Sequence, residues 1–325
     1  MKKLALLLVM GMALAGCSGK EETPPVSFER LGGATYGGEH LAVQGNYVYV
    51  AGTKFYILDV SSTTSPSWEG EIEYANVTFW GLDLKSDMAF AVANATGVGV
   101  LLAIDVSDPA NPSTVDFKLT TELWDIDVDG NYAYIAAGSL GLVVYDIGTV
   151  PGMTQVGGLN LGGDAREIRK SGNYLYITGP YGSEVWVVDV STPTSPTLAG
   201  SVTMSGSAKG QDVEVSSGTA LVSCPEGLVI LDVSDPSSPA ELSRTDPTDD
   251  PYAACFDGNY AYVATKVSGE NNAYILALDI SNTSSPSQVA TSIDCGGSAK
   301  DIAYLNGFCY LLTSDNMFIY RVTKE

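Results

Sequence analysis

GLVILDVSDPSSP, Gly227 to Pro239, reads as a buried strand that runs into a tight turn stopped by proline. The phrase returns as FYILDVSSTTSP ending at Pro66, LLAIDVSDPANP at Pro112, VWVVDVSTPTSP at Pro196 and LALDISNTSSP at Pro286. GLVVYDIGTVPG (141–152) is a worn copy, and MFIYRV (317–322) is a last one that stops before its turn. Seven copies spaced by about 41–49 residues match the period of propeller blades.

Around each copy lie further strand-like pieces. In the third unit, WDIDV (124–128) alternates as a strand does, and Asp129-Gly130-Asn131 makes a hairpin turn. YAYIAA (132–137) follows, then LVVYDI (142–147), then TQVGGL (154–159). The tight turn recurs at Gly45-Asn46, Gly172-Asn173 and Gly258-Asn259, with Ser86-Asp87, Ser217-Gly218 and Asn306-Gly307 in its place elsewhere. Third strands that are apolar on both faces require cover on both faces, which blades stacked around an axis provide. The expected architecture is therefore all-β: a seven-bladed β-propeller of four-stranded blades, with six and eight blades the alternatives. VSFERL (26–31) precedes the first unit and the last lacks a fourth strand, so this N-terminal strand is expected to close the last blade beside Met317–Val322.

The GNYAYVA strand (258–264), the GLVILDV strand and the SDPSSP turn together resemble the LVIVD-repeat family over about residues 39–322. The resemblance implies a propeller on a secreted or lipid-anchored protein, and it brings no catalytic motif.

The chain has 325 residues, a net charge of −22 and a pI near 4.1. So acidic a surface repels phosphate backbones, which excludes nucleic acid as the expected partner. Lys2, Lys3 and the apolar Leu4–Ala15 stretch form a signal segment too short to span a bilayer. Leu14-Ala15-Gly16-Cys17 resembles a bacterial lipobox, the other reading being a plain secretory signal with a chance cysteine. The expected organisation is a signal peptide over 1–16, lipidated Cys17 with a flexible tether over 17–25, and a propeller over 26–325. Ser18 after the cysteine resembles the exported class of lipoproteins, so the expected location is the outer membrane or cell surface, held by lipid.

The carboxylates that end the third strands (Asp59, Asp105, Asp146, Asp189, Asp232, Asp279) recur in every full unit and read as turn caps. Asp125-Ile-Asp127-Val-Asp129-Gly130 mimics the start of a calcium loop, but position twelve is Ala136 rather than Glu. Asp83, Asp127 and Glu214 share one column with Arg169 and could face the axis, as solvated channel walls or around a cation. His40 is the single histidine, and no G-x-S-x-G, P-loop, H-E-x-x-H or C-x-x-C occurs. Of Cys224, Cys255, Cys295 and Cys309, Cys255 and Cys309 read as small buried apolar residues within strands, and a disulfide among the four is permitted in an exported chain. The sequons at 76–78, 94–96 and 282–284 carry no expected role. No catalytic residue, metal or cofactor is assigned.

Aligning the units exposes one diversified column. Two columns of the innermost strand stay apolar and are expected in the core: Leu41, Leu82, Ile126, Ile168, Val213, Ala254 and Ile302, then Val43, Leu84, Val128, Val215 and Phe256. Two residues before the first of these stand Glu39, Trp80, Trp124, Arg166, Gln211, Tyr252 and Lys300, and after them His40, Gly81, Asp125, Glu167, Asp212, Ala253 and Asp301. Chain entry to the innermost strand lies at one mouth of the axial channel, beside loops carrying Lys54, Tyr181, Glu226 and Asn271. Glu39, Trp80, Trp124, Arg166, Gln211, Tyr252 and Lys300 are accordingly the expected ligand-binding rim, suited to a carbohydrate or a protein. Free variation of a surface position would give the same column. The expected function is a non-catalytic binding propeller on the envelope; the alternatives are a carbohydrate-active propeller enzyme using carboxylates and a structural scaffold of an envelope complex.

Overall fold

The computed structural model describes residues 25–179, 183–206, 210–245, 249–267, 272–292 and 295–325. The expected signal segment and Cys17 lie outside these residues, as do Tyr181 and Asn271. No helix among the described residues is long and apolar enough to cross a membrane.

Seven four-stranded antiparallel sheets stand around one axis. Each sheet takes its strands in chain order from the axis outward, except the last. That seventh sheet holds Ala299–Leu305, Phe308–Thr313 and Met317–Lys324, and its outermost strand is Val26–Ala34 from the other end of the chain. Val26 pairs with Lys324 and Ala34 with Met317, so the closing ladder runs somewhat beyond the expected Val26–Leu31. Phe28 packs edge-on against Tyr262 and Tyr320, and Val26 is fully buried. The Ala34 end of this strand lies level with the start of the innermost strand of its blade, through Met317, Leu312 and Asp301. Val26 therefore leaves the molecule on the opposite face.

The apolar runs form the core between blades rather than within one. Leu221, Leu228 and Ile230 of the fifth blade meet Ala261, Val263, Leu276 and Leu278 of the sixth. Each large aliphatic side chain so buried contributes about 1.5–3 kcal/mol. The first apolar column of the innermost strands is buried in all seven blades. The second column is only half-buried: Val43, Leu84, Val128, Val215 and Phe256 pack at the margins of the clusters. They are partly covered rather than the full core positions that their apolar identity suggests.

The hairpin turns behave as their residues require. Gly45, Gly130, Gly172 and Gly258 take positive φ, and Ser86, Ser217 and Asn306 take the same conformation where glycine is missing. All six strand-end aspartates accept the N–H two residues on, at 2.7–2.9 Å. Each capped turn then packs on the outermost strand of the preceding blade. A Cβ on Gly200 would stand 2.6 Å from the Pro236 carbonyl, and Gly70 and Gly157 lie equally tight under Pro109 and Pro193. In the second blade Asp116 replaces the glycine and accepts the N–H groups of Gly152 and Met153 from the next turn. Burial raises the Asp116 carboxyl, but Lys118 and those two N–H groups prevail and hold it at about 2.

Because Val26–Ala34 covers the outer edge of the last blade, its loss leaves the Met317–Lys324 strand unpaired. A chain beginning at Gly32 should melt about 10 °C or more below one beginning at Val26. Equal melting temperatures by circular dichroism would contradict closure through this strand.

Candidate functional site

The innermost strands begin with a repeated irregularity. The pairing register slips at Trp80, Tyr252 and Lys300, leaving each as an extra residue opposite its neighbour strand. Glu39, Trp124, Arg166 and Gln211 hold the same place, their N–H groups bonding the carbonyl of the residue that already pairs with the next position. A bulge of this kind re-aims a side chain out of the sheet. One residue from every blade is thereby turned to the mouth.

These seven residues line one cavity of about 470 Å³, together with His40, Glu167, Asp212, Asp301, Gly210, Pro225 and Ala253. The structure thus brings every residue of the expected rim to a single place. Trp80 and Trp124 meet with ring centroids 5.1 Å apart at 55°. The Arg166 guanidinium lies 3.4 Å from the Trp124 ring centroid and pairs with Asp164 at 2.9 Å. Lys300 pairs with Glu39 at 2.7 Å, joining the last blade to the first. Tyr252 Oη accepts from Lys266 Nζ at 3.1 Å, and Asp250 stands 3.3 Å from the same ammonium. The flanking Lys54 does not line the cavity: Glu71 and Glu73 hold it at 2.7 and 3.0 Å. Glu226 is likewise absent from the lining, where its neighbour Pro225 stands instead.

Below the rim, alternate residues of the innermost strands face the axis in two tiers. The upper tier holds His40, Asp125, Glu167, Asp212 and Asp301; the lower holds Asp83, Asp127, Arg169 and Glu214. Five of these carboxylates bond across blades. Asp301 accepts the Leu41 N–H at 2.7 Å, Asp83 that of Val128 at 2.7 Å and Asp212 that of Ala254 at 2.9 Å. Asp125 accepts from Ile168 and Asp127 from Lys170, both at 3.0 Å. The Asp83 and Asp127 carboxylates are therefore interblade fasteners, and neither the plain solvated wall nor the calcium-loop start describes them. Among the described residues no three His, Cys, Asp or Glu side chains close on one metal position.

The cluster is dominated by negative charge. Arg169 Nε lies 2.8 Å from Glu214 and Nη1 3.8 Å from Asp127, an ion pair whose N–H is not aimed along the contact. The Glu214 carboxylate raises the Arg169 guanidinium well above its ordinary range. His40 sits 3.9 Å from Asp125 and 3.7 Å from Asp301, beyond hydrogen-bond reach, and its Nδ1 has no hydrogen-bond partner among the described residues. Burial pulls its imidazolium down, but Asp301 and Asp125 prevail and raise it. Burial lifts Asp127 and Asp212 to about 7, against the attraction of Arg169 in both. Glu167 is pushed well up, first by burial and then by Asp125, Asp212 and Asp301.

Other sequence features resolve as structure. Asn94 of the second sequon exchanges hydrogen bonds with the backbone of Leu123. Cys224, Cys255, Cys295 and Cys309 form no disulfide among the described residues, and Cys224 and Cys309 are buried.

The LVIVD repeat profile matches residues 38–73, 95–120, 122–154, 162–204, 206–246 and 256–292, and the chain belongs to the LVIVD-repeat family. Among solved structures it is similar to the β-propeller domain of Myceliophteria thermophila Cps50 (Swd1), with a TM-score of 0.69 and 11% identity over 92% of this chain and 100% of that one. It is also similar to the computationally designed Ika8 protein, with a TM-score of 0.60 and 10% identity over 90% and 98%. At such identities the likeness is one of fold. No curated protein matches the chain.

The raised carboxyls set a pH dependence. An unfolded chain releases these protons near pH 4, whereas the native Asp127 and Asp212 keep theirs to about 7. In that window the native state holds more protons, so stability falls as pH rises from about 4 to about 7 and levels above. Asp212→Asn keeps an acceptor for Ala254 N–H while removing one such proton. Its urea-unfolding free energy should drop less between about pH 5 and pH 8 than that of the wild type; equal drops would place the linkage elsewhere.

Proposed function

We propose that this LVIVD-repeat protein is a non-catalytic binding module, lipid-anchored to the cell envelope, that takes a ligand or protein partner at the rim cavity. The observation that carries the reading is the convergence of seven side chains of six kinds, one from each blade and three of them on bulges, on that cavity. Bulges re-aim side chains, and here they aim residues of varied chemistry at one mouth. Aromatic faces beside fixed ion pairs suit a polar ligand.

The anchoring part of the proposal rests on the sequence: a signal peptide over 1–16, lipid on Cys17 and a tether over 17–25. Val26 departs on the face opposite the cavity, an arrangement that presents the mouth away from the anchor.

Two experiments test this. A glycan array and a pull-down from solubilised envelope, each run with wild type and with the Trp80→Ala/Trp124→Ala double variant, should show binding that the variant loses by about tenfold or more, with its fold intact. Unchanged binding by the double variant would move the site elsewhere, and hydrolysis of a captured glycan would favour a propeller enzyme. Separately, Cys17→Ser should shift the protein from the membrane pellet to the soluble fraction; retention after a salt wash would refute the lipid anchor.

A further inference from the structure

We infer that the floor of this cavity is built for a guanidinium group, so that the ligand carries an arginine-type side chain. The inference rests on the mouth being the binding site.

The molecule displays the occupant twice. In the lower tier of the channel, Asp127 and Glu214 flank a guanidinium that the chain itself supplies, that of Arg169. The upper tier stands two residues higher on the same strands, about 7 Å away. It repeats the carboxylate arrangement with Asp125, Glu167, Asp212 and Asp301, but the chain supplies only His40 there, and the tier opens into the cavity. The second display is on the wall. Trp124 already carries a stacked guanidinium on one face, that of Arg166. Trp80, set at 55° to it, and Tyr252 offer further aromatic faces to the same space.

The charges at the rim do not reverse this polarity. Arg166 and Lys300 each pair with a carboxylate of their own, Asp164 and Glu39. Glu167 lines the cavity and makes no hydrogen bond or ion pair among the described residues, unlike Asp125, Asp212 and Asp301, which fasten blades. Glu167 is half-buried among other acids, and a carboxylate so placed without a partner takes a proton or a cation. Among the described residues no three acids close on one metal position, whereas a planar fork with five donors reaches several carboxylates at once. A cavity of about 470 Å³ accommodates such a side chain. The raised carboxyls of Glu167 and Asp212 lose their protons as the cation enters, so binding should strengthen from about pH 6 to about pH 8.

The probe is N-acetyl-arginine amide, whose only charge is the guanidinium, followed by tryptophan fluorescence of the full folded domain. N-acetyl-citrulline amide is the neutral isostere and N-acetyl-lysine amide the ammonium control. The expected result is saturable binding of the arginine probe with Kd at or below about 1 mM, at least tenfold weaker for both controls. Glu167→Gln, which disturbs no fastener, should weaken the arginine probe by about tenfold. An arginine-bearing tripeptide that binds more tightly than the single residue points to a peptide source; equal binding points to a free small molecule, and either supports the inference. Equal response to citrulline or lysine, no saturation by about 10 mM, or an unaffected Glu167→Gln would overturn it. Should a neutral glycan bind and be lost in the Trp80→Ala/Trp124→Ala variant while the arginine probe fails, the guanidinium inference falls and the mouth remains the site.

Discussion

A propeller has an edge problem at its centre. The innermost strand of each blade pairs on one side only, and its other backbone edge faces the axis with donors unpaired. In this molecule five of those donors are taken by carboxylates of the preceding blade: Asp301, Asp83, Asp125, Asp127 and Asp212. The same residues that tie blade to blade therefore crowd negative charge along the axis. The single arginine and single histidine of the two tiers answer that charge only in part. The acidity beneath the mouth is thus a by-product of how the ring is fastened, and the cavity inherits its polarity from the backbone.

The outer rim shows the same economy in another form. Each turn must sit on the outermost strand of the blade before it, which leaves no room for a side chain at Gly70, Gly157 or Gly200. Where that strand carries a side chain, it bonds to the turn instead, as Asp116 does to Gly152 and Met153 and Ser243 does to the Thr283 carbonyl. The seventh blade keeps the pattern although its outermost strand comes from the start of the chain, since Gly32 of that strand lies as tightly under the Thr63 carbonyl of the first turn. Its sequence is split between 26–34 and 299–324, and the family profile stops at 292.

The architecture was legible because the repeat is periodic: a period of propeller length, third strands apolar on both faces, and an aspartate before each turn. The closing strand could be read from a missing fourth strand and an unassigned first one. The rim column was legible for the opposite reason, since Trp80, Arg166, Tyr252 and Lys300 differ where their neighbours agree. What composition does not encode is backbone displacement. The bulges that carry Trp80, Tyr252 and Lys300 to the mouth leave no mark in the residue pattern. Nor does the role of an aspartate follow from its spacing: Asp125 and Asp127 read like the start of a calcium loop until the N–H groups of Ile168 and Lys170 appear opposite them. Val43 and Phe256 look like core by identity, yet they end half-covered at the margins of the clusters between blades.

The closing strand has a mechanical side. Val26 lies at the face away from the mouth, and the strand runs from there towards Ala34, antiparallel to Met317–Lys324. A tension applied between the mouth and the N-terminus acts along the length of this ladder. It loads the hydrogen bonds of the seam in shear, all together, rather than peeling them one by one. The seam of the ring is therefore set in the direction in which such a tension is resisted best.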